Sequence, residues 1–189
     1  MKEIILASAS PRRHEILVQA GIAHTVRTAD CDESATAYRP GEPEAYVLEL
    51  ARRKGEACPA GDGEIVLSAD TVVYLPHTQS ILGKPHTRAR AIEMLESLSG
   101  RVHQVITGVC LRDAGGIFAH FADVTDVAFY PLSRREIEDY VDAAQPFDKA
   151  GAYGIQERAC RFVRSISGDY CNVVGLPVAR VYHAIADRL

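Results

Sequence analysis

The sequence predicts an α/β fold with a mixed, partly antiparallel sheet flanked by helices. Short apolar runs of strand length alternate with segments of helical period through most of the 189 residues. Two longer runs, 102–111 and 117–129, flank a turn at 113–116 and read as an antiparallel pair. Hydrophobic residues make up 47% of the chain, enough for a sizeable core. No linker separates autonomous units, so residues 1–189 read as one domain.

The elements follow in order. Residues 3–7 carry the apolar run Ile4-Ile5-Leu6-Ala7 and form a buried strand. Ser10 suits an N-cap and Pro11 the first helical position; Ile16, Leu17 and Ala20 mark an inward face, and Gly21 ends the helix. Residues 22–42 are polar and turn-rich. A second helix starts near Pro43, with Val47, Leu50, Ala51 and Lys54 at helical spacing, so Lys54 lies near the inward side. After the Gly61-Asp62-Gly63 turn, the buried strand Ile65-Val66-Leu67 delivers Ser68-Ala69-Asp70-Thr71 and continues through Val72 and Val73. A loop over 75–80 leads to Ile81-Leu82 and Gly83-Lys84-Pro85. Thr87 caps a third helix whose Ala91, Ile92, Leu95 and Leu98 face in, closed by Ser99-Gly100. The two long strands follow. Ser133-Arg134-Arg135-Glu136 is a capping box opening a helix that Pro146 ends. Residues 147–156 form a glycine-containing polar loop, 159–166 a strand, and Pro177 opens a last helix with Val178, Val181, Tyr182 and Ile185 on one face.

Composition removes several function classes. A net charge of −4 supplies no global basic field for nucleic acid, so phosphate binding must come from local clusters. The first residues lack a signal-peptide pattern, and no apolar stretch approaches the roughly 20 residues of a membrane span. Cys31, Cys58, Cys110, Cys160 and Cys171 are odd in number, scattered and without a C-x-x-C pair. They read as reduced thiols, and a cytoplasmic location is expected. The histidines form no H-x-x-x-H pair, and His103 reads as part of a strand. The phosphate loop of P-loop NTPases, the Rossmann glycine fingerprint and Gly-x-Ser-x-Gly are all absent.

Ser8-Ala9-Ser10-Pro11-Arg12-Arg13 carries the most chemistry. It sits where a strand feeds a helix N-terminus, a place of unpaired N–H groups and positive dipole. Two arginines there suit phosphate, although a capped surface helix with solvated arginines has the same pattern. Asp70 lies at the carboxyl end of an apolar strand, where a carboxylate can bind a hard cation, take a proton from water, or cap a turn. Lys84 sits between a permissive Gly83 and a rigid Pro85. The segment 148–156, with Lys149, two glycines and Gln156, reads as a loop shaped around something. Glu33 is a candidate metal ligand in an acidic loop.

Together these segments resemble the Maf family of nucleoside triphosphate pyrophosphatases. The resemblance runs nearly end to end. It rests on Ser8 to Arg13, Asp32-Glu33, Lys54, Ala69-Asp70-Thr71-Val72-Val73 and Leu82-Gly83-Lys84-Pro85. It continues through Ser99 to His103, Thr107-Gly108-Val109, Asp148 to Gln156, and Asn172 to Pro177. The resemblance implies two lobes around a central cleft, a fold related to inosine triphosphate pyrophosphatases. Ser-Pro-Arg-Arg, Ala-Asp-Thr-Val and Ala-Tyr-Gly-Ile-Gln are similar to the branch that cleaves dTTP and UTP to monophosphate and pyrophosphate. It implies that Asp70 is the general base and that Arg12, Thr71 and Gln156 select the base of the nucleotide, with Ser8 among the substrate contacts. Arg13, Lys54, Lys84 and Lys149 would offset the phosphates, with Mg²⁺ or Mn²⁺ held by Glu33 and Asp70. The implied partner is a small-molecule nucleoside triphosphate, not nucleic acid or membrane; a homodimer stays open. Two residues depart from the pattern: Glu157 stands where a glycine usually follows Gln156, and Gly55 where alanine is usual. Pyrophosphatases of modified nucleotides such as 7-methyl-GTP, and a non-catalytic nucleotide-binding regulator of cell division, remain alternatives. Asp70 kept together with Lys84 favours catalysis over binding alone.

Overall fold

The chain is described here by a computed structural model covering residues 2–188; the two ends of the expected domain, Met1 and Leu189, lie outside the described residues. The elements are β1 (Glu3–Leu6), α1 (Pro11–Gln19), β2 (His24–Val26), α2 (Pro43–Ala57), β3 (Glu64–Leu75), β4 (Ser80–Leu82) and α3 (Arg88–Leu98). They continue with β5 (Val102–Asp113), β6 (Gly116–Phe129), α4 (Arg134–Ala144), β7 (Val163–Ser167), α5 (Tyr170–Val174) and α6 (Val178–Ile185). The strands form one sheet in the order β2-β1-β3-β5-β6-β7, with β4 also against β3. β2 and β3 run parallel to β1, and every other pairing is antiparallel. The expected mixed sheet and the β5–β6 pair are both present. Among the described residues, no helix is long and apolar enough to cross a membrane.

β3 positions the site. On one edge it pairs with β5 continuously from Val66 to Tyr74. On the other, Glu64–Leu67 pair with β1 and Val73–Leu75 with β4. Among the described residues, no strand pairs with residues 68–72 on that edge. The sheet therefore opens at Asp70 and Thr71.

Strand alternation then sends these two side chains to opposite faces. Leu67, Ala69 and Val73, which share Thr71's parity, join the larger core with α1, α3 and α4. Val72 and Tyr74, which share Asp70's parity, pack with Val47 of α2. Helix α2 lies unusually close on this face. Gly108 stands opposite Asp70 in the β3–β5 register, and a Cβ there would lie 2.4 Å from the Val47 carbonyl oxygen. Lys54 is about two helical turns beyond Val47, so that approach places it over Asp70. Gly55 has a similar cause: its Cβ would lie 2.7 Å from Ser68 Oγ, which donates to the Ala51 carbonyl.

Three local expectations are corrected, and one helix, α5, is added. Ser10 holds the N-cap position but its side chain makes no capping bond; Ser8 Oγ accepts the Ser10 N–H instead. The turn-rich 22–42 contains β2, three residues with no buried side chain and so no apolar signal. Within 159–166 only the last part is strand; 158–162 forms a 3-10 turn that buries Ala159 and Phe162 at a spacing of three. Helix α5 is five residues long, too short for periodicity to register, and is capped by Asp169 accepting from the Cys171 N–H. The capping box at Ser133 and the Thr87 cap form as the sequence requires.

Candidate active site

Arg13 is the brace of the site. Its Nε donates to the Gly175 carbonyl at 2.9 Å, Nη1 to Ser8 Oγ at 2.9 Å and Nη2 to Thr71 Oγ1 at 3.1 Å. One side chain thus ties α1 to the end of β1, to the open segment of β3 and to the turn after α5. Two of the five guanidinium N–H donors remain for another acceptor. Burial lowers its pKa, against the raising effect of Asp70. Behind it, Thr71 Oγ1 lies 2.9 Å from Thr107 Oγ1, directly across the β3–β5 pair. The Asn172 amide donates to Thr125 Oγ1 and the Val105 carbonyl, fixing α5 beneath the cleft.

On the other face, the Lys54 ammonium donates to Asp70 Oδ1 at 2.5 Å and lies 3.1 Å from Glu33 Oε1. Two carboxylates therefore converge on one positive group. That donor set suits a hard divalent cation, since Mg²⁺ takes one or two carboxylates and fills its other positions with water or phosphate oxygen. Among the described residues, no third His, Cys, Asp or Glu joins them. Waters or substrate would have to complete such a site.

The opposite wall is the segment 148–157. The Gly151 N–H donates to the Gly83 carbonyl at 3.1 Å, linking this segment to the turn that carries Lys84. Gly151 and Ala152 have positive φ, so the chain reverses tightly before Tyr153. Tyr153 is buried with its hydroxyl 2.8 Å from His103 Nε2, inside an aromatic cluster with Phe129. Burial pushes the His103 pKa down to about 3 and raises that of Tyr153, so both are neutral near pH 7. At the surface, Arg12 pairs with Asp148 at 3.0 Å, Asp148 with Lys149 at 3.0 Å and Lys149 with Glu157 at 3.3 Å. For Asp148, burial acts to raise the pKa, but the bonds from Lys149 and Arg12 outweigh it and lower the value.

All ten residues singled out in the sequence line one cleft of about 990 Å³. Ser8, Arg12 and Arg13 come from the β1–α1 junction, Glu33 and Lys54 from the α2 side, and Asp70 and Thr71 from the sheet opening. Lys84, Lys149 and Gln156 close the far side, with Lys84 and Gln156 exposed. Sequence reasoning missed the Gly175 carbonyl, the Thr107 hydroxyl and the His103–Tyr153 bond. Thr107, Gly175 and His103 lie inside segments the sequence marked, but nothing local tells which distant group they meet.

Known proteins resemble the chain along its length. The family profile described as "Maf-like protein" matches residues 3–188. A dTTP/UTP pyrophosphatase of Symbiobacterium thermophilum is 50% identical over 182 residues, covering 95% of this chain and 91% of the relative. Another dTTP/UTP pyrophosphatase, from Anaeromyxobacter sp. (strain Fw109-5), is 48% identical over 93% of this chain and 84% of its own. Among solved structures, a HAM1 protein from Coxiella burnetii shares the fold with a TM-score of 0.51 at 16% identity, over 99% of this chain and 100% of that one.

Proposed function

The chain belongs to the Maf family, and from that premise we propose that it hydrolyses dTTP and UTP to the nucleoside monophosphate and pyrophosphate. The supporting observation is the meeting of Asp70 and Lys54 with Ser8, Arg13 and Gln156 in one cleft. Water attacks the α-phosphorus, its oxygen stays on the monophosphate, and the α–β bridging oxygen leaves with pyrophosphate. Asp70 orients that water and takes its proton. The ammonium of Lys54 and the remaining guanidinium donors of Arg13 offset charge developing on the phosphates, with Lys84 approaching from the far wall. Glu33 and Asp70 would hold Mg²⁺ or Mn²⁺, which supplies further positive charge to the phosphate oxygens.

Gln156 reads the base together with Arg12 and Thr71, whose hydroxyl also accepts from Arg13. Thymine and uracil differ by one methyl, about 1–3 kcal/mol in a pocket, so one site accepts both. Cytosine exchanges donor and acceptor along its edge, and leaving buried polar groups unpaired rejects it far more strongly. A carboxamide, which both donates and accepts, suits an imide edge. A net charge of −4 supplies no basic field for nucleic acid or an anionic membrane, so the target is a free nucleotide, and the chain acts in the cytoplasm. All ten site residues line a cleft within one chain, so a homodimer would hold two such clefts.

The test is a panel of dTTP, UTP, CTP and 7-methyl-GTP, with and without Mg²⁺, resolving monophosphate plus pyrophosphate from diphosphate plus phosphate. Metal-dependent release of pyrophosphate from dTTP and UTP is expected. Release of phosphate instead, or preference for 7-methyl-GTP, refutes the assignment.

A further inference from the structure

Glu157 follows Gln156 directly, lines the cleft and takes no part in the reaction described above. Its carboxylate lies 3.3 Å from the Lys149 ammonium, which also meets Asp148, itself paired with Arg12. Charges of alternating sign therefore run from α1 across the mouth of the cleft, and they cancel. Without Glu157 the string would keep one positive charge. The Lys149 side chain is 10% exposed and that of Glu157 is 45%, so the ammonium is sheltered while its anion remains open to solute. Gly154 makes the meeting possible: a Cβ there would lie 3.0 Å from Lys149 Cε and 3.4 Å from Glu157 Cδ.

We propose that Glu157 is an internal anion that competes with the substrate's phosphates for Lys149, and so sets how tightly the cleft holds a triphosphate. This rests on the reading of the cleft as a triphosphate site. A phosphate chain reaching Lys149 must displace one carboxylate partner, and among the described residues Glu157 is the one with no other cation. An ion pair whose carboxylate is this open to solvent is worth about a two- to fivefold change in binding, enough to tune affinity without closing the site.

The experiment measures kcat and KM for dTTP, and the Kd for inorganic tripolyphosphate, in the wild-type chain, Glu157→Gln and Glu157→Asp, each with and without Lys149→Met. Glu157→Gln is expected to lower KM and Kd about two- to fivefold and to move kcat less than KM. Glu157→Asp, which keeps the charge, lies nearer the wild type. The gain shrinks with added salt and vanishes in the Lys149→Met background. Values unchanged or raised in Glu157→Gln, or a gain that survives Lys149→Met, overturn the proposal. If no form hydrolyses a pyrimidine triphosphate, the functional reading fails on its own. The tripolyphosphate Kd then still decides the role of Glu157, and no binding at all overturns it.

Discussion

The wall of the cleft built from β3, α2 and Arg13 is held throughout by backbone and close packing, whereas the wall built from residues 148–157 joins a packed inner part to a rim held by charge. Arg13 reaches a carbonyl and two hydroxyls, and α2 is seated so tightly on β5 that only glycine fits at 108. Across the cleft, Asp148 is mostly exposed; Arg12 of α1 reaches the loop through it, and the neighbouring Lys149 also pairs with it. Its buried anchors are the Gly151 N–H on the Gly83 carbonyl, Ala152 and Ile155 in the core, and Tyr153 on His103. Groups that must meet a reacting phosphorus need fixed positions, which a sheet provides. Groups that choose a base need only to distinguish donors from acceptors, and a loop can vary without disturbing the sheet.

The largest expected effect tests the fixed wall. Asp70→Asn should lower kcat by at least about a hundredfold, the lower end for loss of a positioned base, and equally for dTTP and UTP. Circular dichroism should remain native, since the residue lies at a sheet opening and not in the core. An active Asn variant would remove Asp70 from proton transfer. Next in size, Gln156→Glu should cut kcat/KM for dTTP and UTP about ten- to a hundredfold, with the metal concentration for half-maximal rate unchanged. If the ranking of UTP against CTP stays as it was, base selection lies elsewhere.

Acid should act on the loop wall first. The pKa of His103 is about 3 in the folded state and about 6.5 when unfolded, so between these values the unfolded chain binds the extra proton. Stability from the neutral imidazole is full above pH 6.5 and falls as pH drops toward 3, by up to about 1.4 kcal/mol per unit. Denaturant unfolding between pH 7 and pH 4 should show this slope reduced in His103→Gln. An equal slope in both would place the acid sensitivity elsewhere. The smallest effect concerns α2. Gly55→Ala gains helix propensity but crowds the buried Ser68 hydroxyl, and a net loss of about 1 kcal/mol in unfolding free energy is expected with kcat retained. A more stable variant would mean that Ser68 gives way at little cost.

Most of the frame was legible because its signals are local. Proline at a first helical position, a hydroxyl followed three residues on by glutamate, and apolar runs of fixed period each act within a few residues. β2 and α5 were illegible for the complementary reason: neither is long enough to show a period, and β2 exists because β1 offers it an edge. At the site, charge and residue type marked the participants, and the family resemblance gave them roles. The partner of each group was hidden. Arg13 spans 162 residues to the Gly175 carbonyl and 58 to Thr71, and no pattern in the chain encodes those distances.

The sequence by itself determined most of the segments that become strands and helices, β2 and α5 excepted, and which residues are chemically able to hold a triphosphate, since propensity, capping and side-chain chemistry belong to each residue and its near neighbours. Only the tertiary structure decided that, among the described residues, one edge of β3 has no strand partner between β1 and β4, that alternation there sends Asp70 toward Lys54 and Thr71 toward Arg13, and that Lys149 is shared between two carboxylates. These arise from which edges and faces remain after the core has closed, a property of the whole packing and not of any window of the chain.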